Sequence, residues 1–400
     1  MDGTEDTLPR QRAPHPIRKF RFKKGECRFP CKNDHKTERT NTLPTHMKNS
    51  LLLFTFLLGS LLLAPCEAGI HADSDLPRNK KCLRMLCIGN SFSLDGTAYL
   101  GEVMVDAGIP TDSFGIYCAV KASASLEYWW QQYENDEVIT DYLFMSGSKR
   151  TPTDLVPTLK NLLHEPWDVI VLQQCVALSD QQETFEPYLS NLVQAIRRES
   201  ANKEVAIVWQ MVWSRGETSA GGPHGEAGWA KIAEASRSAC EQAGITTIIP
   251  TGTTIQNARL VPELNQADSI TRDGTHLLFG IGRYLAALTW YEAVCHPIFG
   301  IPLPSPSSRI RQIDSKLTPF VAITDENYPI CQRCVLNAIA NPFDLTDIEG
   351  NVVSGTTGAG PIDAATDASV YLLNGTRVSQ PPTRGIYLQG GRKHLRKQGR

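Results

Sequence analysis

Two short stretches hold residues whose types and spacing could carry acyl-transfer chemistry. In LCIGNSFS, residues 86–93, an apolar run ends in Gly-Asn-Ser. In TRDGTH, residues 271–276, Asp273 stands three residues ahead of His276. A serine hydroxyl is a weak nucleophile until a base takes its proton. The base in turn needs an acid that fixes its tautomer and orientation. An Asp at i−3 in a tight loop can turn back to the imidazole Nδ1, so one short loop supplies both acid and base. The candidate triad therefore runs Ser91, Asp273, His276 along the chain. Each part also has a plainer reading at this stage. Ser91 could cap a helix, and Asp273 could be an N-cap with an incidental histidine beside it.

The elements that must position these residues can be read from hydropathy patterning. CLRMLCIGN, SFGIYCAV, DVIVLQQ, EVAIVWQMVW and ITTIIPTG read as strands. Between and after them, GTAYLGEVMVDAG, TDLVPTLKNLLHEP, FEPYLSNLVQAIRRES, GEAGWAKIAEASRSACEQAG and GTHLLFGIGRYLAALTWYEAV read as helices. Nearly continuous apolar strands alternating with helices imply a parallel sheet covered on both faces. The expected fold class is α/β, a three-layer α/β/α sandwich over residues 82–298. Open sheets of this kind keep their chemistry at the carboxyl ends of the strands. Ser91 follows the first strand and His276 follows the last, so the two can meet across that edge.

The flanks read differently. The chain has 400 residues and a net charge of −2, yet residues 1–46 carry eleven Lys/Arg against six Asp/Glu. This basic stretch lies outside the expected fold, so it gives no nucleic-acid footprint, and no nucleic-acid partner is expected. Residues 47–68, MKNSLLLFTFLLGSLLLAPCEA, fit a signal peptide: the apolar run is short of a membrane span and is followed by small residues. On that reading Met47 is the true start, and residues 1–46 are a disordered or mis-annotated extension. The protein is then exported to the periplasm, the cell surface or the medium. Residues 299–345 open with a Pro/Ser linker and continue as a helical appendage. Residues 346–400 combine a Gly/Thr/Ala-rich flexible linker with a short C-terminal β tail, whose turns fall at Asn374-Gly375 and Gly390-Gly391. Cys87, Cys118 and Cys175 sit in apolar runs and are expected to pack as small hydrophobes. Cys331 and Cys334 form a CxxC, where export makes a disulfide possible.

Taken together, IGNSFS, WDVIVLQQ, IIPTGTTIQNAR and RDGTHLLFGIGRYLAALTWYE resemble the SGNH (GDSL-like) hydrolase superfamily. In particular, residues 82–298 look like an exported Bacteroidetes branch with an uncharacterised SGNH-like domain. The resemblance implies a flavodoxin-like sheet and ester hydrolysis with neither metal nor cofactor. Ser91 would attack the carbonyl, His276 would act as base and then acid, and Asp273 would orient it. The superfamily's oxyanion hole maps onto the N–H of Ser91, the N–H of Ala122 (where the family has glycine) and a side-chain amide from the Gln173–Gln174 pair (where the family has asparagine). Of these two, Gln174 is favoured as nearer the strand's edge. Asn90 is expected to shape the turn, and Gln210 to reach the cleft or lie buried. Asn257 and Arg259 are expected to anchor the DGTH loop. Trp129 and Trp130 are either a sugar-stacking platform or core, and His224 belongs either to a lid or to plain surface. The last residues, LNGTRV through RGIYLQGGRK, resemble the sorting segments of exported Bacteroidetes proteins, which implies sorting machinery as a partner.

The functional expectation is a serine esterase removing acetyl or other acyl groups from carbohydrate, with an acylated carbohydrate or another small ester as substrate. The competing reading is a non-catalytic glycan-binding module with a relic site. A dinucleotide-binding domain is excluded, because GNSFSLDG lacks GxGxxG spacing.

Overall fold

The computed structural model describes residues 75–146, 149–217, 219–265 and 270–355, together with strand segments at 370–372, 377–378, 385–389 and 392–396. The expectations for residues 1–46, for the signal segment 47–68 and for the turns at 374–375 and 390–391 lie outside the described residues.

Seven strands form the central sheet: β1 (Leu83–Gly89), β2 (Phe114–Val120), β3 (Tyr142–Ser146), β4 (Lys149–Pro152), β5 (Val169–Leu172), β6 (Ala206–Gln210) and β7 (Thr247–Ile249). Their order is β4-β3-β2-β1-β5-β6-β7. The strands β2, β1, β5, β6 and β7 run parallel, and the β3–β4 hairpin adds antiparallel to the β2 edge. Along the chain, the five parallel strands follow the flavodoxin-like order 2-1-3-4-5, whose switch point lies between β1 and β5. Every residue of β5 and β6 is buried, as expected for strands covered on both faces.

The covering layers come from α1 (Ser91–Thr97), α2 (Leu100–Asp106), α3 (Leu126–Glu134), α4 (Leu159–Leu163), α5 (Tyr188–Glu199), α6 (Gly225–Ala243), α7 (Thr251–Arg259) and α8 (Ile281–Trp290). Helices α3 to α6 pack side by side in one layer, and α1, α2, α7 and α8 pack in the other. The last turns of α8 continue as a π-helical stretch, Tyr291–Cys295. The strand and helix series read from sequence is present, with four additions. α1, α3 and α7 were not anticipated, and neither was the β3–β4 hairpin. Its outer strand reads Lys-Arg-Thr-Pro, without apolar alternation, because it is an edge facing water.

Residues 299–345 are more closely built in than an appendage. They form α9 (His296–Phe299, overlapping the boundary), α10 (Ser308–Gln312), α11 (Tyr328–Ala340) and β10 (Asp344–Thr346). Cys331, Cys334, Val335 and Leu345 are buried in the same core as the sandwich. A short parallel pair, β8 (Phe279–Gly280) and β9 (Phe320–Val321), stitches this region to the loop after His276, and β10 pairs with β11 (Val352–Gly355). Cys331 and Cys334 are free buried thiols, so the disulfide left open for the CxxC is absent; one turn apart on α11, both face the core. Cys87, Cys118 and Cys175 are likewise free and buried. The C-terminal β tail is a four-stranded antiparallel sheet of β12 (Val370–Leu372), β13 (Arg377–Val378), β14 (Gly385–Gln389) and β15 (Arg392–Arg396), in the order β13-β12-β14-β15.

Candidate active site

The turn after β1 answers the question raised by Gly-Asn-Ser. Asn90, not Ser91, caps α1: its Oδ1 accepts the Phe92 N–H at 3.0 Å. The Ser91 hydroxyl is thereby left free of capping duty and meets His276 Nε2 at 2.9 Å. His276 Nδ1 lies 2.7 Å from Asp273 Oδ2. The structure thus brings Ser91 to the Asp273–His276 pair, 185 residues away from His276 in sequence, in one hydrogen-bonded chain at the carboxyl edge of the sheet, beside its switch point.

Asp273 is not a helix N-cap. The loop closes on itself through the Thr271–Leu277 bridge, and α8 begins only at Ile281. Asp273 Oδ1 accepts the N–H groups of Thr275 (3.0 Å) and His276 (2.7 Å), an Asx-type turn that leaves Oδ2 for the imidazole. Burial pushes the Asp273 carboxyl up, but the His276 N–H, the His276 ring and the Thr275 N–H outweigh this and hold it below the usual carboxylate range. It is therefore an anion at neutral pH, as an orienting acid must be.

Two residues that the sequence reading did not single out hold this loop. Trp213, just past β6, donates its indole N–H to Thr275 O at 2.8 Å and stacks on Phe92, with 4.1 Å between ring centroids. The Gly216 N–H donates to Gly274 O at 2.8 Å. Gly274 adopts a positive φ of 74°, and a Cβ there would lie 2.8 Å from Ser219 Cβ, so this turn requires glycine.

The oxyanion candidates divide. Lys121 N–H binds Gly89 O at 3.2 Å, and Asn90 Nδ2 donates to Ala124 O at 3.0 Å, so the turn carrying Ala122 is tied beside the nucleophile turn. Among the described residues, no acceptor meets the N–H of Ser91 or of Ala122. Gln174, favoured from sequence, is committed elsewhere. Its Oε1 accepts the N–H groups of Leu126 (3.1 Å) and Cys175 (2.9 Å), while its Nε2 donates to Thr184. Gln173 is the opposite case. It is buried, neither amide atom has a hydrogen-bond partner among the described residues, and its Cγ and Cδ lie 2.9 Å from where a Cβ on Gly89 would sit. The free amide of the pair therefore lies against the residue two before Ser91.

The other expected site residues make the following contacts. Gln210 is fully buried beneath α1, donating to Phe92 O at 3.4 Å, the buried of its two expected places. Asn257 exchanges hydrogen bonds with the Thr346 N–H and hydroxyl, fastening β10 to α7. Arg259 holds the Ser214 hydroxyl and carbonyl and Gln256. Neither is placed on the DGTH loop by these bonds; Arg259 instead steadies the segment that carries Trp213. Trp129 is core, donating to Gly89 O at 3.2 Å, and Trp130 stacks on Tyr133. His224 sits at the start of α6 with Nδ1 3.0 Å from Gly216 O. No group of three or more metal-ligating side chains occurs among the described residues.

Comparison with known families fits this architecture. Residues 84–318 match the family described as a domain of unknown function, DUF4886. That span exceeds half the chain, and the protein belongs to this family. A crystal structure of a DUF4886 family protein from Bacteroides uniformis is similar, with 28% identity and a TM-score of 0.52 over 67% of this chain and 98% of that one. A protein from Slackia heliotrinireducens, provisionally described as an SGNH hydrolase, aligns at 17% identity and a TM-score of 0.35, over 53% of this chain and 98% of that one. The structure of TesA aligns at 10% identity and a TM-score of 0.32, over 52% of this chain and 97% of that one. No curated protein matches.

Proposed function

We propose that the protein is an exported serine hydrolase that cleaves ester bonds, removing acyl groups from carbohydrate by a Ser-His-Asp mechanism. One observation carries this reading: the unbroken chain from Asp273 Oδ2 through the His276 ring to Ser91 Oγ, at 2.7 and 2.9 Å. These spacings are hydrogen-bond distances of the kind a nucleophile and its base require.

In the proposed reaction Ser91 Oγ attacks the ester carbonyl while His276 Nε2 takes its proton. The tetrahedral intermediate collapses, and the imidazolium returns the proton to the departing alcohol. Water then attacks the acyl-serine with His276 again as base, releasing the carboxylic acid and restoring Ser91. The negative oxygen of each intermediate is received by the N–H groups of Ser91 and Ala122 and by the Gln173 amide. A buried donor with no protein partner costs about 1–3 kcal/mol, and an oxyanion would supply what Gln173 Nε2 lacks.

The carbohydrate substrate and the export route rest on the sequence resemblance. Hydrolysis of p-nitrophenyl acetate and butyrate, measured for the chain from residue 69 onward beside its Ser91→Ala variant, tests the chemistry. Turnover lost in the variant supports the esterase. Absence of Ser91-dependent turnover on these and on acetylated glycans, with retained glycan binding, would favour the binding module.

A further inference from the structure

The nucleophile helix follows the first strand and the acid–base loop comes after the last strand of the central sheet, and a few tenths of an ångström between them decide whether Ser91 meets His276. One buried carboxylate joins the two. Asp95 stands on α1, one turn past Ser91, and is 1% exposed. Its Oδ2 accepts the Leu277 N–H at 3.0 Å, immediately after His276, and Arg272 NH1 at 2.9 Å, immediately before Asp273. Its Oδ1 accepts Nε and NH2 of Arg283 on α8, at 3.1 and 2.8 Å. Arg150, from the edge hairpin, approaches the same oxygen at 3.8 Å.

The loop side is closed as tightly. Arg272 N–H donates to His276 O at 2.8 Å, and Arg272 NH1 also binds Leu277 O. Both guanidinium groups, of Arg272 and Arg283, lie over the Phe279 ring at 4.9 and 4.7 Å. Arg283 NH1 continues to Asp314, which also accepts the Tyr99 hydroxyl at 3.1 Å. A carboxylate this deep persists only when its charge and lone pairs are met, and here they are met by groups bracketing His276.

We infer that Asp95 is a positioning residue for the reaction: with Arg272 it clamps the His276 loop to the helix that begins with Ser91, and so sets the Ser91–His276 contact. This inference rests on the serine-hydrolase reading. Asp95 touches neither substrate nor the reacting atoms; it acts through the backbone on either side of the acid–base pair.

Asp95→Asn would strand buried arginines and confuse misfolding with misplacement. Arg272→Lys is the sharper test, because it keeps the charge but loses the planar guanidinium that lies over Phe279 and aims NH1 at both Asp95 and Leu277 O. Three quantities are read at a temperature where circular dichroism shows the variant folded: kcat and KM for p-nitrophenyl acetate, the rate of Ser91 labelling by a fluorophosphonate, and hydrogen exchange at the Leu277 amide. The expected result is kcat and labelling rate lowered together by about 10²-fold, with KM unchanged and Leu277 exchange faster. A purely structural role would lower the melting temperature without moving kcat or labelling in the folded enzyme. Wild-type-like kcat and labelling in folded Arg272→Lys overturns the clamp while the esterase stands. A wild-type chain that neither turns over nor labels overturns both, since a faster-exchanging Leu277 would then mark structure alone.

Discussion

At the scale of single residues, the two glutamines after β5 separate most clearly. Gln173→Ala should lower kcat by about 10²–10³ with KM little changed and less stability lost than at Gln174, because its amide has no protein partner among the described residues. Gln174→Ala should do the reverse: the N–H groups of Leu126 and Cys175 lose their acceptor, at about 1–3 kcal/mol for each buried group left unpaired. Urea unfolding beside steady-state kinetics distinguishes the pair. Sequence named both glutamines and favoured Gln174 for its place at the strand's edge, whereas the amide without a protein partner among the described residues is that of Gln173. Strand alternation says that neighbours face opposite ways but not which of the two faces the nucleophile: Gln173 lies against Gly89, while Gln174 turns to Leu126 and Thr184. The acid is a further case. Asp273 is held below its ordinary range, so its contribution to stability is present above the unfolded-state value and is lost as pH falls through the lower folded value. The stability difference between wild type and Asp273→Asn should therefore be present at neutral pH and shrink below about pH 4, measured by urea midpoints. Ser91, Asp273 and His276 were legible because their chemistry restricts residue type. Asp95 was not: one aspartate in a helix gives no sign that its partners stand 177 to 188 residues away.

At the scale of elements, the strand-to-helix turn and the DGTH turn do the positioning, and both depend on small residues. Gly89 ends β1 where a Cβ would lie 2.5 Å from Ser93 Oγ and 2.9 Å from Gln173. Gly89→Ala should push Gln173 or α1 aside, lowering the melting temperature and cutting Ser91-dependent turnover by about 10²-fold, the scale of a misplacement near 1 Å. Thermal melts with kinetics on the folded fraction check this. The strands and longer helices were readable because their apolar runs are long and both sheet faces are covered. The DGTH turn was misread as a helix start, since Asp-x-x-His suits an N-cap and an Asx turn equally; only the Thr271–Leu277 bridge separates them. Gln210 takes the buried of its two expected places, and the bonds of Asn257 and Arg259 run to β10 and to Ser214 and Gln256, for a related reason. Polar residues near a carboxyl edge can be consumed by packing, and Asn257 serves a strand that begins 87 residues later.

At the scale of the molecule, the sandwich extends past the boundary read at residue 298. The texture change at Pro297 and the Pro/Ser-rich stretch suggested a linker, but composition does not show that Cys331, Val335 and Leu345 return to the common core. A chain ending at 318, where the family match stops, should bare the α7 and α8 faces that α11 covers and aggregate or melt early. A chain ending at 355 should keep the wild-type melting temperature of the sandwich; comparing the two by calorimetry tests the boundary.

The central claim is that Ser91 is an activated nucleophile. The most direct test is fluorophosphonate treatment of the intact protein and of its Ser91→Ala and His276→Ala variants, followed by peptide mass spectrometry. The account predicts one adduct, on Ser91, absent from Ser91→Ala and slowed by orders of magnitude in His276→Ala. No adduct on Ser91 in the folded wild-type chain, or equal labelling without His276, would contradict it.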